Sequence, residues 1–137
     1  MGDEGAVSFF VVGCVIIFFA LAGLAFDGGG RVHTGEQADA VAREAARAAC
    51  EQVDQAAVLR GVFQLRHDWA RTAAAAYVHN VPRTALVSVT FPRRDVCKVT
   101  VTTQYRTQLL DLIGLTNLPA TGTGQATFVY GVNGIEG

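Results

Sequence analysis

The chain opens on an unbroken apolar run. Ala6 to Phe26 is 21 residues with no charge and one hydroxyl side chain, Ser8. As a helix rising about 1.5 Å per residue, it spans about 30 Å, the thickness of a bilayer core. Asp27 closes the run and Gly28-Gly29-Gly30 follows. Each glycine costs about 1 kcal/mol relative to Ala inside a helix, so the triplet predicts a joint over residues 28–33. Ala25 and Gly29, four apart, form a small-xxx-small pair of the kind that lets helices approach closely in lipid.

Beyond the glycines the apolar positions recur at helical spacing. Ala38, Val41, Ala42, Ala45, Ala48, Ala49 and Val53 make one stripe, and Glu36, Asp39, Arg43, Glu44, Arg47 and Glu51 occupy the other face. Thr34 is the expected N-cap with Gln37 as its capping-box partner, and Asp39 and Arg43 form a supporting i,i+4 pair. The stripe is rich in Ala, so it suits a helix laid closely on a sheet. A second helix is expected over Val62 to Val78, with Phe63, Leu65, Trp69, Ala73, Ala76 and Tyr77 inward. Asn80 and Pro82 end it.

After Pro82 the period shortens to two. Ala85 to Phe91 is rich in β-branched residues, and Pro92 to Asp95 supplies a turn. In Val96 to Tyr105, Cys97, Val99, Val101, Thr103 and Tyr105 share one face, the pattern of a half-buried antiparallel strand. Leu109 to Leu115 reads as a short apolar turn or helix, Pro119 to Gly124 as loop, and Gln125 to Tyr130 as a third strand. The sequence therefore predicts an α+β chain. A hydrophobic N-terminal helix with an amphipathic extension is followed by a second helix and an antiparallel sheet of about three strands. Its organisation would be a flank at 1–5, a transmembrane helix at 6–27, the joint at 28–33 and an α+β domain at 34–137.

Composition sharpens this picture. Half the residues are hydrophobic and 17% charged, with a net charge of −1. The apolar excess sits in the anchor, which excludes a fully soluble globular protein, a disordered chain and a disulfide-dense scaffold. Near-neutral charge gives no support to a nucleic-acid binder. A cleaved secretory signal would need a basic n-region and a shorter apolar core. Ala20-Leu21-Ala22 offers a cleavage site, but the flank carries Asp3 and Glu4 and no Lys or Arg. A retained anchor is therefore favoured. Taken alone, Arg31 and Arg43 on the C-terminal side would place the following domain in the cytoplasm.

The chain offers little chemistry. His33, His67 and His79 and Cys14, Cys50 and Cys97 show no zinc-ligand spacing. The two serines, Ser8 and Ser88, stand in no nucleophile turn. Gly28 to Gly30 precedes no GK[ST] and is not a phosphate loop. The expectation is a non-catalytic protein with no cofactor, metal or small-molecule substrate. Cys50 and Cys97 lie on the inner helix and on the strand expected to pack against it. Outside the cytoplasm they can form a disulfide closing a loop of about 48 residues; inside it they are two small buried thiols.

Three segments carry a resemblance. Gly5-Ala6-Val7-Ser8 leads into the apolar run, Leu24-Ala25-Phe26-Asp27-Gly28-Gly29-Gly30-Arg31 follows, and then the Ala-rich stretch Gln37 to Ala49. Together with Val99-Thr100-Val101-Thr102 and Leu109-Leu110-Asp111-Leu112-Ile113-Gly114-Leu115, this resembles the TadE/TadG-like proteins of actinobacteria. The resemblance implies a minor pilin-like or pseudopilin-like subunit of a tight-adherence (Flp) pilus system, a branch of the type IV pili. It would be held in the cell membrane by one helix, with its domain extracytoplasmic. Its partners would be the lipid bilayer, other pilin-like subunits and the assembly platform. It also implies Gly5-Ala6 as a processing site. Type IV pilins place a glutamate five positions after that glycine, where this chain has Phe10, and this argues for an accessory rather than a self-polymerising subunit. The alternative is a signal-cleaved, secreted α+β binding module.

Overall fold

One helix, α1, runs without interruption from Asp3 to Cys50 in the computed structural model, which describes residues 3–62 and 64–128. Its N-terminal half projects alone. Phe9, Phe10, Ile16, Phe18, Phe19, Leu21 and Leu24 are all more than half exposed, and nothing among the described residues covers them. Mean hydropathy over its best 18-residue window is 2.8, and among the described residues this is the one helix long and apolar enough to cross a membrane.

The joint expected at 28–33 is not there, because Gly28, Gly29 and Gly30 are turns of α1. Helix propagation is cooperative once long segments exist on both sides, and here Asp27 and Gly30, on either side of Gly28 and Gly29, are also held from outside, as described below. Thr34 is consequently not an N-cap. Its hydroxyl donates back to the Gly30 carbonyl at 2.9 Å, as a threonine inside a helix does.

The C-terminal half of α1 lies on an antiparallel sheet of order β1-β2-β3, formed by Thr84–Arg93, Val96–Arg106 and Asn117–Thr127. The fold is α+β. Helix α3, His67–His79, fills the space beside α1 and over β1, and the four-residue α2, Gln55–Val58, sits in the preceding loop. The core is made of Ala38, Ala42, Ala45, Ala46 and Ala49 from α1, Ala70, Ala74 and Val78 from α3, and Cys97, Val99 and Val101 from β2.

Three sequence expectations shift here. The inward face of α3 is Ala70, Ala74 and Val78, rotated from the expected Trp69, Ala73, Ala76 and Tyr77. Trp69 is 51% exposed, with the Arg66 guanidinium 3.9 Å from its ring centroid. Small residues win the inner positions because α3 must sit close to an Ala-surfaced neighbour. Phe63 lies outside the described residues. Asp39 turns from Arg43 to β3, where its carboxylate accepts the Thr123 N–H at 2.8 Å. Finally, Pro119 to Gly124 is strand rather than loop; β3 starts at Asn117, and Tyr130 lies outside the described residues.

The β2–β3 register explains that last shift. Val99 pairs with Gly124, Val101 with Gly122, Thr103 with Ala120 and Cys97 with Ala126. The face of β3 turned to the helix therefore reads Ala-Gly-Gly-Ala, a lane with almost no side chains. A Cβ on Gly122 would stand 2.2 Å from the Ala38 carbonyl carbon, and one on Gly124 would stand 2.1 Å from the Arg43 nitrogen. The α1 backbone occupies that lane while the valines of β2 flank it. Arg31 Nε also donates to the Pro119 carbonyl at 3.1 Å. With Asp39, it gives hydrogen-bond partners to an edge strand that would otherwise be open to pairing.

Cys50, the last residue of α1, is disulfide-bonded to Cys97 near the start of β2, with 5.7 Å between Cα atoms. The bond ties the far end of the helix to the sheet.

Candidate functional site

The other end of the sheet meets α1 where the apolar run stops, and there the chain concentrates its buried polar chemistry. Asp27 is fully buried. One carboxylate oxygen accepts the Gln108 N–H at 2.8 Å and the Tyr105 hydroxyl at 3.2 Å. The other accepts the Leu109 and Leu110 N–H groups at 3.0 and 2.8 Å. Leu110–Ile113 is a single 3-10 turn, so Asp27 takes up the free N–H groups at its start in the manner of a cap supplied from another element. Gly114, in the left-handed region at φ 86°, closes the turn and returns its N–H to Asp111 at 3.0 Å.

The rest of this β2–β3 connection is pinned in the same way. Thr107 is buried; its hydroxyl donates to the Leu115 carbonyl and its N–H to the Thr116 carbonyl. Tyr105 crosses α1 directly over Gly30, where a Cβ would lie 2.3 Å from the phenol oxygen. Burial first, and then the neighbouring Asp27 carboxylate, raises the pKa of the Tyr105 phenol above its ordinary value, so it stays a donor. Gly23, four residues before Asp27, is packed by Leu109, whose Cβ would lie 3.3 Å from a Cβ at that position.

This geometry assigns different roles to the three glycines. Gly30 makes room for Tyr105. A Cβ on Gly28 or Gly29 would meet nothing within 4 Å, and Gly29 and Ala25 are exposed. The small pair Ala25 and Gly29 thus remains free on the outer surface of α1. Gly5, Ala6 and Phe10 are exposed on its first turns, and Cys14 is a free, exposed thiol on the apolar segment.

Among the described residues, no group of three or more His, Cys, Asp or Glu side chains is placed to hold a metal. A cleft of about 660 Å³ between α1 and the end of β2, bordered by Thr34, Gln37, Val41, Pro82, Arg83 and Tyr105, contains no carboxylate, thiol or imidazole. His33 contacts Glu36 and Gln37 on the exposed face of α1, and His67 stacks on Phe91 with 4.1 Å between ring centroids.

Asp27 and Tyr105 were readable in the sequence only as the end of an apolar run and the end of a strand. The available signal was that a lone carboxylate directly after 21 apolar residues needs a partner. No protein-family model, characterised protein or solved structure matches the chain.

Proposed function

We propose that the chain is a non-catalytic, membrane-anchored, pilin-like subunit of a tight-adherence pilus assembly system. It would be a minor or pseudopilin-like component whose domain stands outside the cytoplasm. The observation that carries the reading is the single helix α1. Its first half is apolar and bare, and its second half is the spine of a small α+β domain. That division suits a subunit that buries one end of a helix among lipids or neighbouring helices and presents a folded head at the other. The Cys50–Cys97 disulfide supports an oxidising compartment for the head, and the resemblance described above supports the pilus system. Its partners would be the bilayer, other pilin-like subunits and the assembly platform proteins.

Labelling tests the topology. A cysteine introduced at Thr121, exposed on β3, should react with a membrane-impermeant maleimide in intact cells. Labelling only after lysis would overturn the outward orientation.

One observation favours a second reading, a secreted α+β binding module cleaved after Ala22. Gly23 is the first buried residue of α1 among those described, so cleavage there would leave the packing of the head intact. The mass of the mature chain separates the two. An N-terminus before the apolar run supports the anchored subunit, and one at Gly23 supports the secreted module.

A further inference from the structure

The segment Leu109 to Leu115 is the most apolar stretch outside the anchor, yet the fold turns it outward. Leu112 is 85% exposed, Ile113 72% and Leu115 50%. Nothing in the packing of the head requires these side chains, since the turn is held through its backbone by Asp27 and Thr107. Its position decides what it meets. Leu109 packs on Gly23, which lies inside the apolar run, about 4.5 Å along the helix axis before Phe26. A segment seated there cannot be above the membrane if the run spans it.

We propose that Leu109–Leu115 is a membrane-contacting foot, inserted at the boundary between headgroups and acyl chains of the leaflet beside the anchor. This rests on the anchored reading and goes beyond it, because one helix alone would leave the head free of the bilayer surface. The depth follows from the charges. Asp111 is the one charged residue of the seven and is exposed, which suits the wet headgroup level and not the hydrocarbon interior. Exposed Arg31, one turn beyond Asp27, and Arg106, paired with Asn117 where the connection carrying the foot leaves the sheet, are cationic side chains of the kind that meet lipid phosphates. Asp27 itself, at the edge of lipid, is tolerable there because three backbone N–H groups and a phenol satisfy it. The occupant is lipid rather than another subunit because the foot continues the apolar surface of the anchor itself.

Fluorescence quenching tests the foot. Full-length protein carrying Trp69→Phe and one reporter, Leu112→Trp, Ile17→Trp or Thr121→Trp, is reconstituted in phosphatidylcholine vesicles. The vesicle lipids are brominated either near the carbonyl end or near the methyl end of the acyl chains. Ile17→Trp should lose fluorescence most with the deep bromines. Leu112→Trp should be blue-shifted and lose most with the shallow ones. Thr121→Trp should lose nothing, showing that the indole does not itself pull a surface site into lipid. An unquenched Leu112→Trp beside a quenched Ile17→Trp overturns the foot and leaves the anchor standing. An unquenched Ile17→Trp overturns the anchor. A blue shift at Leu112→Trp without bromine quenching would mean that a second protein surface covers the segment, which also overturns the proposal.

Discussion

The ring of Tyr105 occupies the space that a side chain on residue 30 would fill, so the last of three consecutive glycines is a seat for a strand residue rather than a hinge. Gly29, one position earlier, faces open space. The two positions therefore answer substitution differently. Gly30→Leu should displace Tyr105 and lower stability by about 1–3 kcal/mol, as overpacking does. Gly29→Leu should leave thermal or chemical unfolding of the detergent-solubilised protein unchanged or slightly improved.

Gly29→Leu also probes the outer face of α1. If the exposed Ala25 and Gly29 pair is where neighbouring helices approach, the variant should reduce pilus output or co-purification of other pilus subunits, with normal membrane insertion. Normal piliation and normal partner recovery would mean that the face meets only lipid.

Asp27→Asn keeps the size of the side chain but replaces one accepting oxygen with a donor that faces N–H groups. Amide exchange at Gln108, Leu109 and Leu110 should accelerate by roughly an order of magnitude, while the amides of β2 around Val99 stay protected. Tyr105→Phe, which removes one neutral donor of the four, should have a smaller effect. Equal protection in Asp27→Asn and in the parent would show that the turn holds itself.

On the chain-entropy account, a cross-link spanning 47 positions contributes about 4 kcal/mol. Non-reducing mass spectrometry should find the Cys50 and Cys97 peptides joined, and Cys50→Ser with Cys97→Ser should lose stability on that scale. Alkylation of both thiols without reductant would contradict the bond.

Gly124→Ala places a methyl group against the backbone of Arg43 in the middle of the helix–strand contact. Backbone cannot swing aside as a side chain does. The cost should lie at or above the upper end of the about 1–3 kcal/mol usual for overpacking, and it should exceed that of Thr123→Ala on the opposite face. Comparison of the two midpoints in denaturant checks this.

Which parts of this architecture were legible in the sequence follows from what each signal measures. The long apolar helix and β2 were plain, because 21 apolar residues and five alternating inward positions each point to one kind of element. β3 was hidden because the features that make it fit, glycines at positions 122 and 124 beside a proline at 119, are those that usually mark a loop. Only the matching smallness of Ala38 and Ala42 on a distant segment explains them, and that is tertiary information. The face of α3 was misread for the same reason. Spacing alone puts Trp69, Ala73, Ala76 and Tyr77 inward, whereas an Ala-surfaced α1 accepts Ala70 and Ala74 and leaves Trp69 outside. The Asp27 clamp depends on four donors more than 75 residues away, so the sequence shows that Asp27 needs a partner but not which one.

The unbroken course of α1 through the glycines gives the molecule a mechanical character. A rod clamped to the sheet by Asp27 at one end and by a disulfide at the other has no joint in which to lose an angle. About 24 residues of it, about 36 Å, extend past Phe26 to Cys50. A tilt of about 20°, ordinary for a helix in a bilayer, would carry the Cys50 end sideways by about 12 Å. On the anchored reading, membrane thickness, or the pull of a neighbour on the bare half, would be converted into the aim of the head, as an oar turns its blade from the handle.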